Sequence, residues 1–130
     1  MNDVFEFLKS AGTYYLATAE GDQPRVRPFG TIDLYDGHLA IQTGLVKDVA
    51  KQMLKNPKVE ICAFKDGRWI RVSGEVELDE RLEAQVHMLD NYPDLGNMYK
   101  PGDGNTAVFR FKSGKAVISS FTESPVVIEL

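Results

Sequence analysis

Apolar residues recur along the chain with two periods, and the switches between them mark its elements. Val4, Phe5, Leu8 and Ala11 lie on one helical stripe, which predicts an amphipathic helix over residues 3–11 with Asn2 or Asp3 as its cap and Gly12 as its stop. It would lie on the core as a lid. Residues 13–19, TYYLATA, are β-branched and aromatic, and Glu20-Gly21-Asp22 turns them into a second extended run over residues 24–35. In that run Val26, Pro28, Gly30, Ile32 and Leu34 alternate with Arg25, Arg27, Phe29, Thr31 and Asp33, so two arginines share a face. Pro28 has no backbone donor to give a ladder, which places it at an edge, at a bulge or where a ligand approaches.

Asp36-Gly37 predicts a tight hairpin into a strand over residues 38–43. Beyond it Val46, Val49, Ala50, Met53 and Leu54 return to helical spacing, with Lys47, Lys51 and Lys55 on the other sides. Thr43 and Gly44 are placed at the start of this helix, and Pro57 ends it. Its first amide groups, dipole and Lys47 would then converge on an anion such as phosphate, although lysines on a short helix are often only solvated. Val59, Ile61 and Ala63 resume a period of two, Asp66-Gly67 turns the chain, and Ile70, Val72, Val76 and Leu78 form the apolar face of a long return strand. Trp69, Arg71, Ser73, Glu75 and Glu77 face the other way.

Asp79 is read as the cap of a helix burying Leu82, Val86 and Leu89, with His87 on the surface. Residues 91–105, NYPDLGNMYKPGDGN, read as the longest irregular connection. Two further strands over 106–111 and 115–121, joined by Ser113-Gly114, precede Pro125 and a closing VVIEL. This gives six or seven strands in sequential hairpins without a βαβ rhythm. A mainly β fold follows, with peripheral helices: an antiparallel sheet curled into a barrel.

At 130 residues the chain is read as a single domain over 1–130, and 43% hydrophobic residues suffice for one core without staples. A formal net charge of −4 speaks against nucleic acid as a partner, and no apolar run has the length of a membrane span. The lone Cys62 and a start lacking a signal-peptide pattern suggest a reducing cytoplasm. His38 and His87 sit in no metal-ligand spacing, so no metal is expected. Phosphate-loop and nucleophile-elbow motifs are missing.

The ordered set LATAEGDQPRVRPFG, DGHLAIQTG, KDVAKQMLKNPKVEI and DGRWIRVSGEVEL, spanning roughly residues 14–78, resembles the pyridoxamine 5′-phosphate oxidase-like family of flavin-binding split β-barrels. The resemblance implies a homodimer that holds two flavin mononucleotides (FMN) between its subunits. It further implies that Arg27 meets the phosphate, that Pro28 and Phe29 pass along the flavin ring, and that Gln42 and Thr43 line the cofactor. Arg25 either adds charge or pairs with an acidic neighbour.

Where the oxidases carry Ser-Arg-Lys this chain has Lys47-Asp48-Val49. Lys47 and Lys51, one helical turn apart, are the expected replacements, since a phosphate needs compensating charge at short range. Trp69 stands where the second subunit presents a residue to the ring, and is either that contact or a dimer-core tryptophan. Arg71 approaches the ring or pairs with a glutamate across the interface. Phe121 and Thr122 match the C-terminal wall.

The oxidases' substrate-phosphate lysine is replaced by Ile32, and their C-terminal extension is lacking, which disfavours pyridoxamine phosphate as substrate. The resemblance leaves an FMN-dependent oxidoreductase acting on a small molecule, of nitroimidazole-reductase or flavin-reductase type and with reduced nicotinamide (NAD(P)H) as one donor. A non-enzymatic flavin carrier or a barrel for another ligand are the alternatives. No side chain is assigned as an acid or base; Tyr99, Lys100 and His87 are available polar groups without a role.

Overall fold

A computed structural model describes residues 1–130. Helix α1 (Asn2–Ala11) leads into strands β1 (Tyr14–Glu20), β2 (Gln23–Phe29), β3 (Asp33–Tyr35) and β4 (His38–Gly44). Helix α2 (Asp48–Lys55) is followed by β5 (Lys58–Lys65) and β6 (Arg68–Asp79). Helix α3 (Leu82–Asp90), a 3-10 turn (Pro93–Asn97), β7 (Thr106–Ser120) and β8 (Val126–Glu129) complete the chain. The eight strands form one antiparallel sheet in the order β2-β1-β5-β6-β7-β4-β3, with β8 paired to β7.

The order of strands explains the curl. Strands β2 and β3 are the two edges of the path, about 29 Å apart if six strand spacings lay flat, yet only residues 30–32 join them. Four peptide steps reach at most about 14 Å, so the sheet must roll until its edges meet.

The backbone ladder remains open at this seam, and side chains span it. Tyr14 donates its hydroxyl proton to the Thr31 carbonyl, Thr31 Oγ1 exchanges hydrogen bonds with the Gln42 backbone at 3.1 and 3.2 Å, and the Tyr92 hydroxyl holds Ile32 N and O at 2.9 and 3.1 Å. A split barrel results. Its interior contains Leu16, Ile41, Ile61, Ile70, Val72 and Phe109, closed at one side by Val4, Phe7 and Leu8 of α1.

Several predicted boundaries move, each for a local reason. The run over 24–35 is two strands, because the chain leaves one edge of the sheet for the other at residues 30–32. Ser113-Gly114 does not turn the chain: both residues stay paired with Glu75 and Gly74 inside one long strand, whose bulge falls just before them at Lys112, while β4 and then β8 flank the other side of β7. Thr43 and Gly44 do not start α2: they remain laddered to Ala107 and Thr106, and the helix begins after a turn in which Lys47 N donates to Gly44 O at 3.0 Å. Val46 and Leu54 consequently fall off the buried face, which is Val49, Ala50, Gln52 and Met53.

Asp79 likewise stays in β6 and Arg81 becomes the cap position of α3, so Ala84, Met88 and Leu89 are buried while Leu82 and Val86 are exposed. Helix α1 starts from Met1 rather than from a capping Asn2 or Asp3, and buries Phe7 where Phe5 is only partly covered. The tight Asp36-Gly37 and Asp66-Gly67 turns form as expected, both residues of each at positive φ. No helix is long and apolar enough to cross a membrane.

Candidate functional site

Arg27 organises the site. On β2 it lies opposite Leu16 of β1, and its guanidinium reaches across β1 toward α2. Nη1 donates to Leu16 O at 3.1 Å and Thr18 Oγ1 at 2.8 Å, and Nη2 donates to Gln52 Oε1 at 2.7 Å. Thr18 Oγ1 donates in turn to Gln52 Oε1 at 2.6 Å. Gln52 and Thr18 are themselves buried, so the network fixes the arginine's direction. Every protein acceptor it uses is neutral.

That neutrality has an electrostatic consequence. A partly buried cation without a carboxylate keeps its charge for something else. Desolvation, and next the like charge of Arg25, push the Arg27 pKa down from its ordinary value, and an anion at its free edge would relieve both.

Beside Arg27 a cleft of about 260 Å³ is walled by Pro28, Phe29, Gly30 and Thr31 along the seam, Gln42 and Thr43 from β4, Lys47 and Val49 at the head of α2, and Leu95, Met98 and Tyr99 from the connection after α3. The Gln42 side chain is committed inward, donating to Thr43 O at 2.9 Å and Thr106 Oγ1 at 3.0 Å. It shapes the wall and leaves its amide spoken for. Lys47 is exposed and carries no ion pair.

Tyr99 is only 7% exposed, and its hydroxyl, which finds no protein partner, lies about where a side chain on Gly44 would be: a Cβ there would stand 3.0 Å from it. Asn105 ties down the same turn, accepting from Leu45 N through its carbonyl at 2.7 Å and from Val46 N through Oδ1 at 3.2 Å.

Of the residues singled out from sequence, Arg27, Pro28, Phe29, Gln42, Thr43 and Lys47 therefore converge on one cleft. Arg25 does not join them; both its Nε and Nη2 are held by Glu20 Oε1, at 3.2 and 2.9 Å, out in solvent. Lys51 lines a separate depression with Glu20, Asp48 and Lys55. Trp69 and Arg71 lie on the outer face of β6, where the Trp69 ring packs 5.0 Å from Phe121 and Arg71 pairs with Glu60 at 3.3 Å.

Thr18, Gln52 and Tyr99 join the site without a role assigned to them from sequence. Gln52 had a signal: it sits three residues after Val49, on the buried side of its helix. His87 also does more than face solvent. Its Nδ1 is 2.7 Å from Oδ2 of buried Asp33, which accepts further bonds from Leu34 N and Asn91 Nδ2.

A larger groove, about 540 Å³, runs between α1, the β5–β6 hairpin and β8. Its Asp3, Glu6, Lys65, Asp66 and Arg68 mix both signs, so size alone does not make it the stronger candidate. No group of three His, Cys, Asp or Glu side chains is gathered anywhere to hold a metal.

The sequence family described as pyridoxamine 5′-phosphate oxidase matches residues 2–117. Among solved structures, a NimC/NimA family protein of Clostridium acetobutylicum is 46% identical, aligns over 100% of this chain and 92% of its own, and superposes with a TM-score of 0.96. General Stress Protein 26 of Bacillus anthracis shares the fold at 16% identity and TM-score 0.75, over 98% of this chain and 97% of its own. A heme binding protein of Mycobacterium smegmatis shares it at 12% and 0.73, over 94% of this chain and 57% of its own. No functionally curated protein matches the sequence.

Proposed function

Because the chain belongs to the pyridoxamine 5′-phosphate oxidase family, we propose that it is a flavin-dependent oxidoreductase that binds FMN in the Arg27 cleft and acts on a small molecule. The observation that carries this reading is the arginine held by neutral acceptors alone, with unpaired Lys47 on the same cleft wall. Two cations facing a cavity without a carboxylate suit a phosphate monoester.

The residues present fit the charged end of the cofactor. Arg27 and Lys47 would compensate the phosphate, the Thr18–Gln52 pair would keep the guanidinium aimed, and the seam from Pro28 to Thr31 would offer an edge of backbone with no strand beyond it. Bound flavin supplies hydride and single-electron transfer. The chain's part is to bind, orient and shield, and no side chain in the cleft is placed as an acid or base.

The cleft is smaller than the ~300–1,000 Å³ that usually encloses a ligand of drug size, which supports a site completed by a second copy. The outer face offers one. Phe64 and Phe121 flank Trp69, and Tyr15, Val26 and Val127 stand farther away on the same face of the sheet, each of the five more than half exposed, an apolar set suited to a partner surface. In the homodimer proposed here, that face meets its mate, and Trp69 and Arg71 of one subunit cap the cleft of the other. Lys51 is then a peripheral charge and Arg25 a surface ion pair. Cys62 is exposed and unpaired, in keeping with a cytoplasmic protein.

Ile32 stands where the resemblance expects a substrate-phosphate lysine. It is buried, with its backbone N and O held by Tyr92, so the substrate proposed is one without a phosphate. Val49 at the cleft, where a cation is expected, keeps a second reading in view: a barrel for a different anionic ligand. Titration of the purified protein with FMN, followed by absorbance and flavin fluorescence, separates the two. Saturable binding at one FMN per chain is expected; absence of binding at tens of micromolar would remove the flavin reading. Steady-state NAD(P)H oxidation with and without nitroaromatic acceptors then distinguishes an enzyme from a carrier.

A further inference from the structure

We propose that the Tyr99 hydroxyl is a ligand-binding group of this cleft, donating a hydrogen bond to the phosphate that Arg27 and Lys47 neutralise. The inference rests on the phosphate reading of the cleft given above, and adds a third donor from the connection after α3.

Burial is the first argument. A tyrosine with a buried ring gives its hydroxyl either a protein partner or an opening to solvent, because an unmade hydrogen bond at a desolvated group is costly. Tyr14 and Tyr92 obey this rule, each bonding a backbone group at the seam. Tyr99 is 7% exposed and lines the cleft; its hydroxyl bonds no protein group, and since no buried side-chain oxygen is left without a partner, that hydroxyl is the accessible tip of a buried ring. It opens onto the cavity instead.

Position is the second argument, and it selects the charged end of the cleft. The Tyr99 ring edge and hydroxyl lie over Gly44, at 3.1 and 3.0 Å from where its Cβ would be. Gly44 O accepts the Lys47 amide at 3.0 Å. The hydroxyl and Lys47 therefore flank one four-residue turn, which Asn105 holds from behind. Glycine at 44 leaves the room the ring occupies.

A neutral O–H donor suits this place. Arg27 and Lys47 provide charge, and a third donor that adds none completes the coordination of phosphate oxygens without further desolvation of a cation.

The test compares FMN with riboflavin, which lacks the phosphate, on the full chain and on Tyr99→Phe. Tyr99→Phe is expected to weaken FMN by about 10- to 100-fold, the range for a hydrogen bond to a charged group, and to leave riboflavin within about twofold. Equal weakening of both flavins would place the hydroxyl on the ring or ribityl chain and overturn the proposal, as would no change in either. A second variant, Gly44→Ala, pushes the ring off its seat and is expected to reproduce the FMN-selective loss; unchanged FMN affinity would count against the proposal.

Should the unmodified protein bind neither flavin, the flavin reading falls by itself. The hydroxyl is then tested with phenyl phosphate, whose binding is read from its phosphorus resonance. Binding that Tyr99→Phe weakens about tenfold or more keeps the third donor, and binding it leaves unchanged, or no binding at all, removes it.

Discussion

Arg27 and Gln52, from the edge strand β2 and the helix α2, are joined by a 2.7 Å hydrogen bond from Nη2 to Oε1. The amide oxygen aims the guanidinium without cancelling its charge. A carboxylate of the same shape would do both, so Gln52→Glu is expected to keep the fold while supplying an internal counterion. FMN affinity should fall by about 1–3 kcal/mol with little loss of melting temperature. Calorimetric titration beside a thermal melt checks this, and an undiminished affinity would mean that Arg27 is not the phosphate's partner.

Removing the charges directly gives the complementary result. Arg27→Ala and Lys47→Ala are each expected to cost about 1–3 kcal/mol in FMN binding, whereas Lys51→Ala and Arg25→Ala should stay within about 0.5 kcal/mol, since those side chains face elsewhere. A larger effect at Lys51 than at Lys47 would move the anion to the depression on the far side of Gln52.

The alternation of apolar residues made the strands of this sheet legible, because one face of each is buried and period two records that fact. Val59, Ile61, Ala63, Ile70 and Val72 are all interior, and Pro28 does lie on an edge. Connections were harder to read. Whether Ser113-Gly114 turns the chain or runs on within a strand depends on strands β4 and β8, which arrive from distant sequence. The beginnings of α2 and α3 shifted because Thr43, Gly44 and Asp79 are kept in the ladder by β7. Tyr99 had no local signal, since only the rolled sheet brings residue 99 over residue 44.

The β6–β7 crossing sets a second test of the fold. A Cβ on Gly74 would meet Ser113 O at 2.2 Å and Gly114 Cα at 2.9 Å, both backbone atoms that cannot swing aside. Gly74→Ala is expected to destabilise by about 3 kcal/mol or more, through overpacking against the bulge. Chemical denaturation monitored by circular dichroism would measure it; a loss under 1 kcal/mol would imply that the bulge slides along the register.

Acid should find the Asp79–Arg81 pair. Asp79 Oδ1 accepts from Arg81 N and Nε at 3.2 and 2.9 Å, and Oδ2 accepts from Nη2 at 2.8 Å. These bonds, above all those from the Arg81 side chain, hold the carboxyl below its ordinary value against the opposing effect of burial. The unfolded chain therefore takes up the proton first as pH falls. The contribution is complete above about pH 4 and is lost as pH drops through the lowered native value. Melting temperatures of the wild type and Asp79→Asn should differ at pH 7 and converge in strong acid; a gap that persists there would trace the loss to packing.

The shared site makes the strongest demand on geometry. In a two-fold dimer whose clefts are each capped by the partner's Trp69, a chain carrying Arg27→Ala and a chain carrying Trp69→Ala are both defective as homodimers. Refolded together at equal concentration, half of the dimers pair one of each. Such a heterodimer has one cleft with both substitutions and one with neither, so about a quarter of all clefts regain full affinity. Trp69 is the chain's one tryptophan, and its quenching on FMN addition should report those restored clefts. A mixture that binds no better than its parents would confine the ligand to residues of a single subunit, and Trp69 would then be only the centre of the apolar face formed with Phe64 and Phe121.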